Sequence, residues 1–176
     1  MIGVIQRTFT EIDKAIFTIL YKTLIRPYLE YATTVWSPFL KKDIFILENT
    51  QRRATKIVKG MYYTPYEERL IILGLPTLQY RRKRNDLVQV YKIVNKIDKL
   101  DINSFFNVRK ESKTRGNSYK LIKSQNRLNI RANAFSQRVV NDWNSLPEDC
   151  VNSKDLNNFK STLNKHWKNH PKKFET

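Results

Sequence analysis

Only one cysteine, Cys150, occurs in the chain. An internal disulfide framework and a cysteine-rich zinc site are both excluded, and a reducing, intracellular setting (nucleus or cytoplasm) is expected. Glycine and proline are also scarce, at 4 and 6 of 176 residues, which disfavours a many-turned β fold and suits a helical one. No apolar run approaches the roughly 18 residues that cross a bilayer. The N-terminal stretch mixes Glu11, Asp13 and Lys14 among apolar residues and lacks the layout of a signal peptide, so no membrane partner is expected. Acidic residues are few as well: 16 against 33 lysines and arginines, for a formal charge of +17.

That excess is spread along the chain. Residues 1–60, 61–118 and 119–176 carry 10, 12 and 11 basic side chains against 5, 6 and 5 acidic ones. It is not a basic tail on a neutral domain. Positive charge distributed through foldable segments favours a polyanion, because each neutralised phosphate releases condensed counterions. An apolar share of 40% supports a packed core rather than a disordered arm.

Apolar spacing predicts a mainly α protein. Ile12, Ala15, Ile16, Ile19, Leu20 and Leu24 recur at helical spacing, with Thr10 and Asp13 as a capping pair and Pro27 as the break. A short apolar segment, 28–36, follows. A helix over 42–59 should turn Ile44, Leu47, Ala54 and Val58 inward, with Gly60 as its stop. Thr64-Pro65-Tyr66-Glu67 reads as a helix start, Gly74 as its end. Leu75-Pro76-Thr77 then leads into a helix to about Asn95, with Leu87, Val90, Tyr91 and Val94 on one side. From Asp98 to Ile130 the chain is polar. A turn signal over 114–118 and alternations at 119–122 and 127–130 read as brief strands. Phe135, Val139, Trp143 and Leu146 mark a helix stopped by Pro147. Ser153 caps a last helix with Leu156, Phe159, Leu163 and Trp167, and a frayed basic tail follows Asn169. Trp36, Trp143 and Trp167 are expected in the core.

Several strings occur together in order: residues 21–32 (YKTLIRPYLEYA), 35–38 (VWSP), 47–56 (LENTQRRATK), 66–70 (YEERL), 73–82 (LGLPTLQYRR), 115–118 (RGNS) and 135–147 (FSQRVVNDWNSLP). This chain resembles the region after the palm in LINE-type (non-LTR) retrotransposon reverse transcriptases, the jockey-like elements above all, over almost its whole length. The resemblance implies a thumb, a helical element that holds the primer–template duplex by its backbone, and the domain that follows it. The expected organisation is a helical thumb-like module over 1–97 and a C-terminal module over 98–176, with a polar loop that can carry a short β-hairpin and two helices. Two-metal phosphoryl transfer needs clustered carboxylates. The family supplies them from a Tyr-x-Asp-Asp motif in the palm, and no Asp-Asp pair occurs here. A chain that starts in mid-thumb reads as a fragment or a stand-alone descendant.

Arg52, Lys56 and Lys59, at i, i+4 and i+7, are expected to form a basic stripe against phosphates, with Arg53 pointing elsewhere. Arg81, Arg82 and Lys83 are further phosphate candidates, whereas Arg84 falls with Tyr80, Leu87 and Tyr91 and should pack its stem. Arg109, Lys110, Lys113, Arg115, Lys120, Lys123 and Arg127, with Tyr119 interleaved, could grip a single strand, and Arg131 and Arg138 extend that set. His166 and His170 lack further ligands, so no metal and no cofactor is expected, and Cys150 reads as inert. The partners implied are RNA or DNA as primer–template, together with a reverse transcriptase palm. The alternative is a domesticated remnant of the element that acts as a protein-interaction scaffold.

Because the carboxylate pair is missing, the purified chain given primer–template, magnesium and dNTPs should extend nothing. Template-dependent extension that persists through repurification would overturn that expectation.

Overall fold

The computed structural model describes residues 1–109 and 117–175. It is mainly helical with one two-stranded antiparallel sheet, as the apolar spacing predicts. The chain divides into two compact units: Met1–Arg82 together with the segment from His170 onward, and Lys83–Asn169. The division expected at 97/98 thus falls inside the second unit.

In the first unit α1 (Ile2–Thr8) and α2 (Lys14–Leu20) precede a π-helical stretch (Tyr21–Ile25) that runs into α3 (Arg26–Glu30). After them come α4 (Lys41–Thr55), α5 (Tyr66–Leu73) and the start of α6 (Leu78–Val94). Asp13 caps α2 alone, accepting the Ile16 N–H at 2.8 Å. Pro27 does not break the helix. It sits in the first turn of α3, where a missing N–H costs no helical bond, and the Arg26 N–H reaches back to the Tyr21 carbonyl in π register.

The buried face of this segment is not the expected one. Phe17, Tyr21 and Ile25, four residues apart, lie inside, and the Phe17 and Tyr21 rings stack at 5.6 Å. Ile16, Ile19 and Leu24 are exposed. The segment is apolar on most sides, so periodicity selects no face, and the aromatic residues with most area to bury take the inside. In α4 the buried residues are Glu48, Gln51, Ala54 and Thr55, while Ile44 and Leu47 are half-buried. The helix stops at Thr55, short of the expected 59, and a turn carries the chain to Gly60 at φ +79°. Gly74 closes α5 at φ +63°, a left-handed position that glycine occupies without strain. The expected frayed tail is instead tied down. The Thr77 N–H donates to the Lys173 carbonyl at 2.9 Å, its hydroxyl donates to that of Lys172 at 2.7 Å, and Phe174 packs on the core.

The second unit contains the rest of α6, β1 (Asn107–Val108), β2 (Leu121–Ile122), α7 (Asn129–Ala132), α8 (Phe135–Arg138), α9 (Val140–Asn144), α10 (Glu148–Val151) and α11 (Leu156–His166). The strand at 121–122 pairs with Asn107–Val108, and the other expected strand, 127–130, is replaced by the helical turn α7. Residues 114–116 of the turn signal lie outside the described residues. Asn144 completes β2 from its side chain, accepting the Leu121 N–H at 2.9 Å and donating to the Leu121 carbonyl at 2.8 Å. The helix expected over 135–146 is split at Val139. Asp155, rather than Ser153, caps α11 by accepting the N–H groups of Asn157 and Asn158 at 2.7 and 2.8 Å.

The core of this unit stacks Tyr91 on Phe159 at 4.3 Å, with Trp143 fully buried beside them and Trp167 also buried. Trp36, in the first unit, departs from its expected place. It is 37% exposed, and its indole N–H donates to the Tyr31 carbonyl.

The corrected face of the α2 region has a direct test. Phe17→Ala should cost about 3–5 kcal/mol, whereas Ile19→Ala, at a site 63% exposed, should stay within about 0.5 kcal/mol. Urea melts followed by circular dichroism measure both. The reverse ranking would return Ile16 and Ile19 to the inside.

Candidate nucleic-acid interface

The C-terminal half of α4 and its cap residue Lys56 present Asn49, Arg52, Arg53 and Lys56 at i, i+3, i+4 and i+7, one side of a helix. α5 adds Tyr66 and Arg69. Together with Ile46 and Thr50 these residues line an open cleft of about 600 Å³. Four of its eight described lining residues are basic, and none of those eight is acidic. Cations at a helix C-terminus also face the negative end of the helix dipole, which stabilises them there.

The four cations are held differently. The Arg52 guanidinium lies 4.2 Å above the Tyr66 ring and reaches Glu67 at 3.6 Å. Lys56 is exposed, with its Nζ 5.5 Å from the centre of the Tyr62 ring. Arg53 is exposed as well. Arg69 is buried and acts as a strut: it donates to the Thr55 hydroxyl at 3.0 Å, the Thr64 carbonyl at 2.6 Å and the Arg52 carbonyl at 3.3 Å. Burial pulls its guanidinium below the ordinary value.

The other expected contacts disperse. Lys59 lies past the end of α4 and pairs with Glu11 at 2.8 Å, so the stripe is Arg52, Arg53 and Lys56 rather than Arg52, Lys56 and Lys59. Arg81 grips both carboxylate oxygens of Glu30, Arg82 is buried, and Lys83 pairs with Asp142 at 3.2 Å. Arg81 and Lys83 serve as internal ties, and Arg82 is withdrawn from solvent. Arg138 holds Asp86 in a two-pronged pair at 2.8 and 2.9 Å and is likewise a pin of the second unit. Arg84, as expected, is half-buried and donates to Asn164 at 3.0 Å. Arg109, Lys123, Arg127 and Arg131 are exposed, and Lys120 is half-buried. Arg115, Lys110 and Lys113 lie outside the described residues. Arg53 was recoverable from the i, i+3, i+4, i+7 spacing with Asn49, Arg52 and Lys56. Arg69 was not, because it reaches the cleft from another helix.

Beneath the cleft lies a buried polar network. Glu48 accepts the Tyr66 hydroxyl at 2.6 Å and the Leu78 N–H, the first of α6, at 3.1 Å. Gln51 accepts the Tyr21 hydroxyl and donates to the Pro76 carbonyl at 3.1 Å. Burial pushes the Glu48 carboxyl above its ordinary 4.5, against the opposing pull of the Tyr66 and Leu78 donors and of Arg82 and Arg52. The same burial pushes the Tyr66 hydroxyl far up, so it stays a donor.

A carboxyl whose folded pKa is raised holds its proton more tightly folded than unfolded. Its contribution to stability is complete below 4.5 and is lost as pH rises from there through the folded value. Glu48→Gln keeps an acceptor oxygen and removes the charge, so its melting temperature relative to wild type should rise across that window. Glu48→Ala strands two donors and should lose about 2–4 kcal/mol. A Gln-minus-wild-type difference that is flat with pH would contradict the burial of a charge here.

Among the described residues no helix is long and apolar enough to cross a membrane. Compared with protein-family models, curated proteins and solved structures, the chain matches none of them.

Proposed function

We propose that this chain is the nucleic-acid-gripping C-terminal portion of a non-LTR retrotransposon reverse transcriptase, a thumb and its following domain, holding the primer–template by its backbone. The observation that carries this reading is the cleft at the end of α4, where the half-buried Arg52 and the exposed Arg53 and Lys56 line one wall. Such a face suits phosphates, which position a duplex without reading its sequence. The ordered strings shared with that family support it, as does the +17 charge. In this reading the chain binds and a palm supplies the carboxylates, so RNA-templated synthesis needs both.

A second reading rests on a different observation. Tyr28, Tyr31, Val35, Trp36, Phe39, Leu40, Phe45 and Ile46 are all exposed large apolar side chains in a short span. A protein partner covering them, a palm or another, would make the chain an interaction scaffold descended from the element.

Salt separates the two. If the chain engages some four to six phosphates, log affinity for a short duplex should fall against log salt with a slope of about −4 to −5. Replacing Arg52, Arg53 and Lys56 with Ala should flatten it by up to about three, equally for unrelated sequences. Lys14, Lys22 and Lys42, exposed and outside the cleft lining, provide a control triple of equal charge. Equal losses from both triples would reduce the binding to diffuse attraction and end the case for the cleft.

A further inference from the structure

Two tyrosines beside the cleft have no place in the fold. Tyr62 is 62% exposed and Tyr63 94% exposed, so neither contributes appreciable burial to the core. They are nevertheless held in a fixed relation, edge to face, with ring centres 5.0 Å apart and planes at 83°. The loop that carries them is pinned at both ends. The Met61 N–H donates to the Val58 carbonyl at 3.0 Å, and the Thr64 N–H to that of Met61 at 3.3 Å. The buried Arg69 holds the Thr64 carbonyl, and Pro65 restricts the backbone beyond it. Met61, just before them, packs on the core while the two rings stay largely in water.

We infer that Tyr63, propped by Tyr62, is a stacking platform for an unpaired nucleobase of a strand whose phosphates lie in the basic cleft. This deepens the backbone-gripping reading and rests on it. The link between the two parts is Lys56, which lines the cleft and also sits over the Tyr62 ring. A cation thereby stands over the Tyr62 ring, the two rings brace one another edge to face, and Tyr63, the more exposed of the pair, leaves ring surface open to solvent. A planar, uncharged base joined to a phosphate matches that juxtaposition of an open aromatic face and neighbouring cations. Stacking accepts any base, so this platform would distinguish unpaired from paired nucleotides rather than one sequence from another. A base inside a duplex has both faces covered by its neighbours and cannot use it. The site would therefore favour a duplex with a single-stranded extension over a blunt one.

The experiment uses the full chain and fluorescence anisotropy at one salt concentration. Its three probes are a blunt RNA–DNA hybrid, the same hybrid with about four unpaired nucleotides, and the same extension made abasic. Wild type should bind the extended hybrid more tightly than the other two. Tyr63→Ala should weaken binding to the extended hybrid about tenfold, leave the blunt hybrid unchanged and leave the salt slope unaltered, since no phosphate contact is lost. Tyr63→Phe keeps the ring and should behave as wild type, which separates stacking from loss of the hydroxyl. Equal loss on blunt and extended hybrids, no loss on either, or an abasic extension bound as tightly as the natural one would each overturn the platform. The Arg52, Arg53 and Lys56 triple reports separately. An unchanged salt slope there sinks the backbone grip, while the Tyr63 comparison still reads on its own.

Discussion

Much of the first unit is arranged around one charge, the carboxylate of Glu48, at a depth where almost no water reaches it. A carboxylate so placed costs several kcal/mol unless its oxygens are filled. α5 fills one with the Tyr66 hydroxyl, and the first N–H of α6 meets both. Those donors cannot drift from α4 without stranding the charge. The same contact also sets what faces outward. At about 100° per residue, turning Glu48, Gln51 and Thr55 inward carries Arg53 to the far side and Asn49 and Lys56 to the flank, with Arg52, one turn on from Glu48, at the half-buried margin. The basic cleft is the outer consequence of the polar interior.

Arginine does two jobs in this chain that composition cannot separate. Arg69 and Arg82 are buried, and Arg81 and Arg138 are committed to Glu30 and Asp86 through paired contacts. The planar guanidinium suits such internal forks, because it can satisfy several acceptors at once while its charge is offset. Arg53 and Lys56, with no such fork around them, remain exposed. The formal +17 therefore overstates what a polyanion would meet, and clustering in the sequence is a poor guide to which cations it meets. The run Arg81-Arg82-Lys83 is the densest basic string of the expected interface, yet it is spread between Glu30, the interior and Asp142.

What the residues revealed in advance follows the same division. Features governed by a local rule were legible: the helical content, the left-handed glycine that closes α5 at 74, the burial of Trp143, and a helix start at 64–67, although Pro65 takes the cap position expected for Thr64. Features decided by a partner were not. The π register before Pro27, the buried side of α2 and the seat of Trp36 depend on what packs opposite. Of the inward face of α4, the buried Ala54 was legible and the rest was hidden for a sharper reason. Its central residues are Glu48, Gln51 and Thr55, which any count of apolar spacing turns outward. The boundary between units was hidden because α6 belongs to both: Leu78 and Tyr80 lie in the first, and Leu87, Val90, Tyr91 and Ile93 in the second. The final segment returning to Thr77 makes the first unit discontinuous, which no reading of consecutive residues discloses.

Two exposed aromatic surfaces remain in the first unit, and charge distinguishes them. Along residues 28–46 the ionisable lysines and acids balance, Lys41 and Lys42 against Glu30 and Asp43. An apolar surface without net charge neither attracts nor repels a polyanion; it is suited to an apolar face on another protein. Tyr62 and Tyr63 stand between Arg52, Arg53, Lys56 and Lys59 on one side in sequence and Arg69 on the other, with Glu67 and Glu68 as the acids of that span. There the basic residues outnumber the acids and the rings stand exposed, conditions under which an anion with a planar, stackable group gains from both at once. The two surfaces thus call for partners of different chemistry.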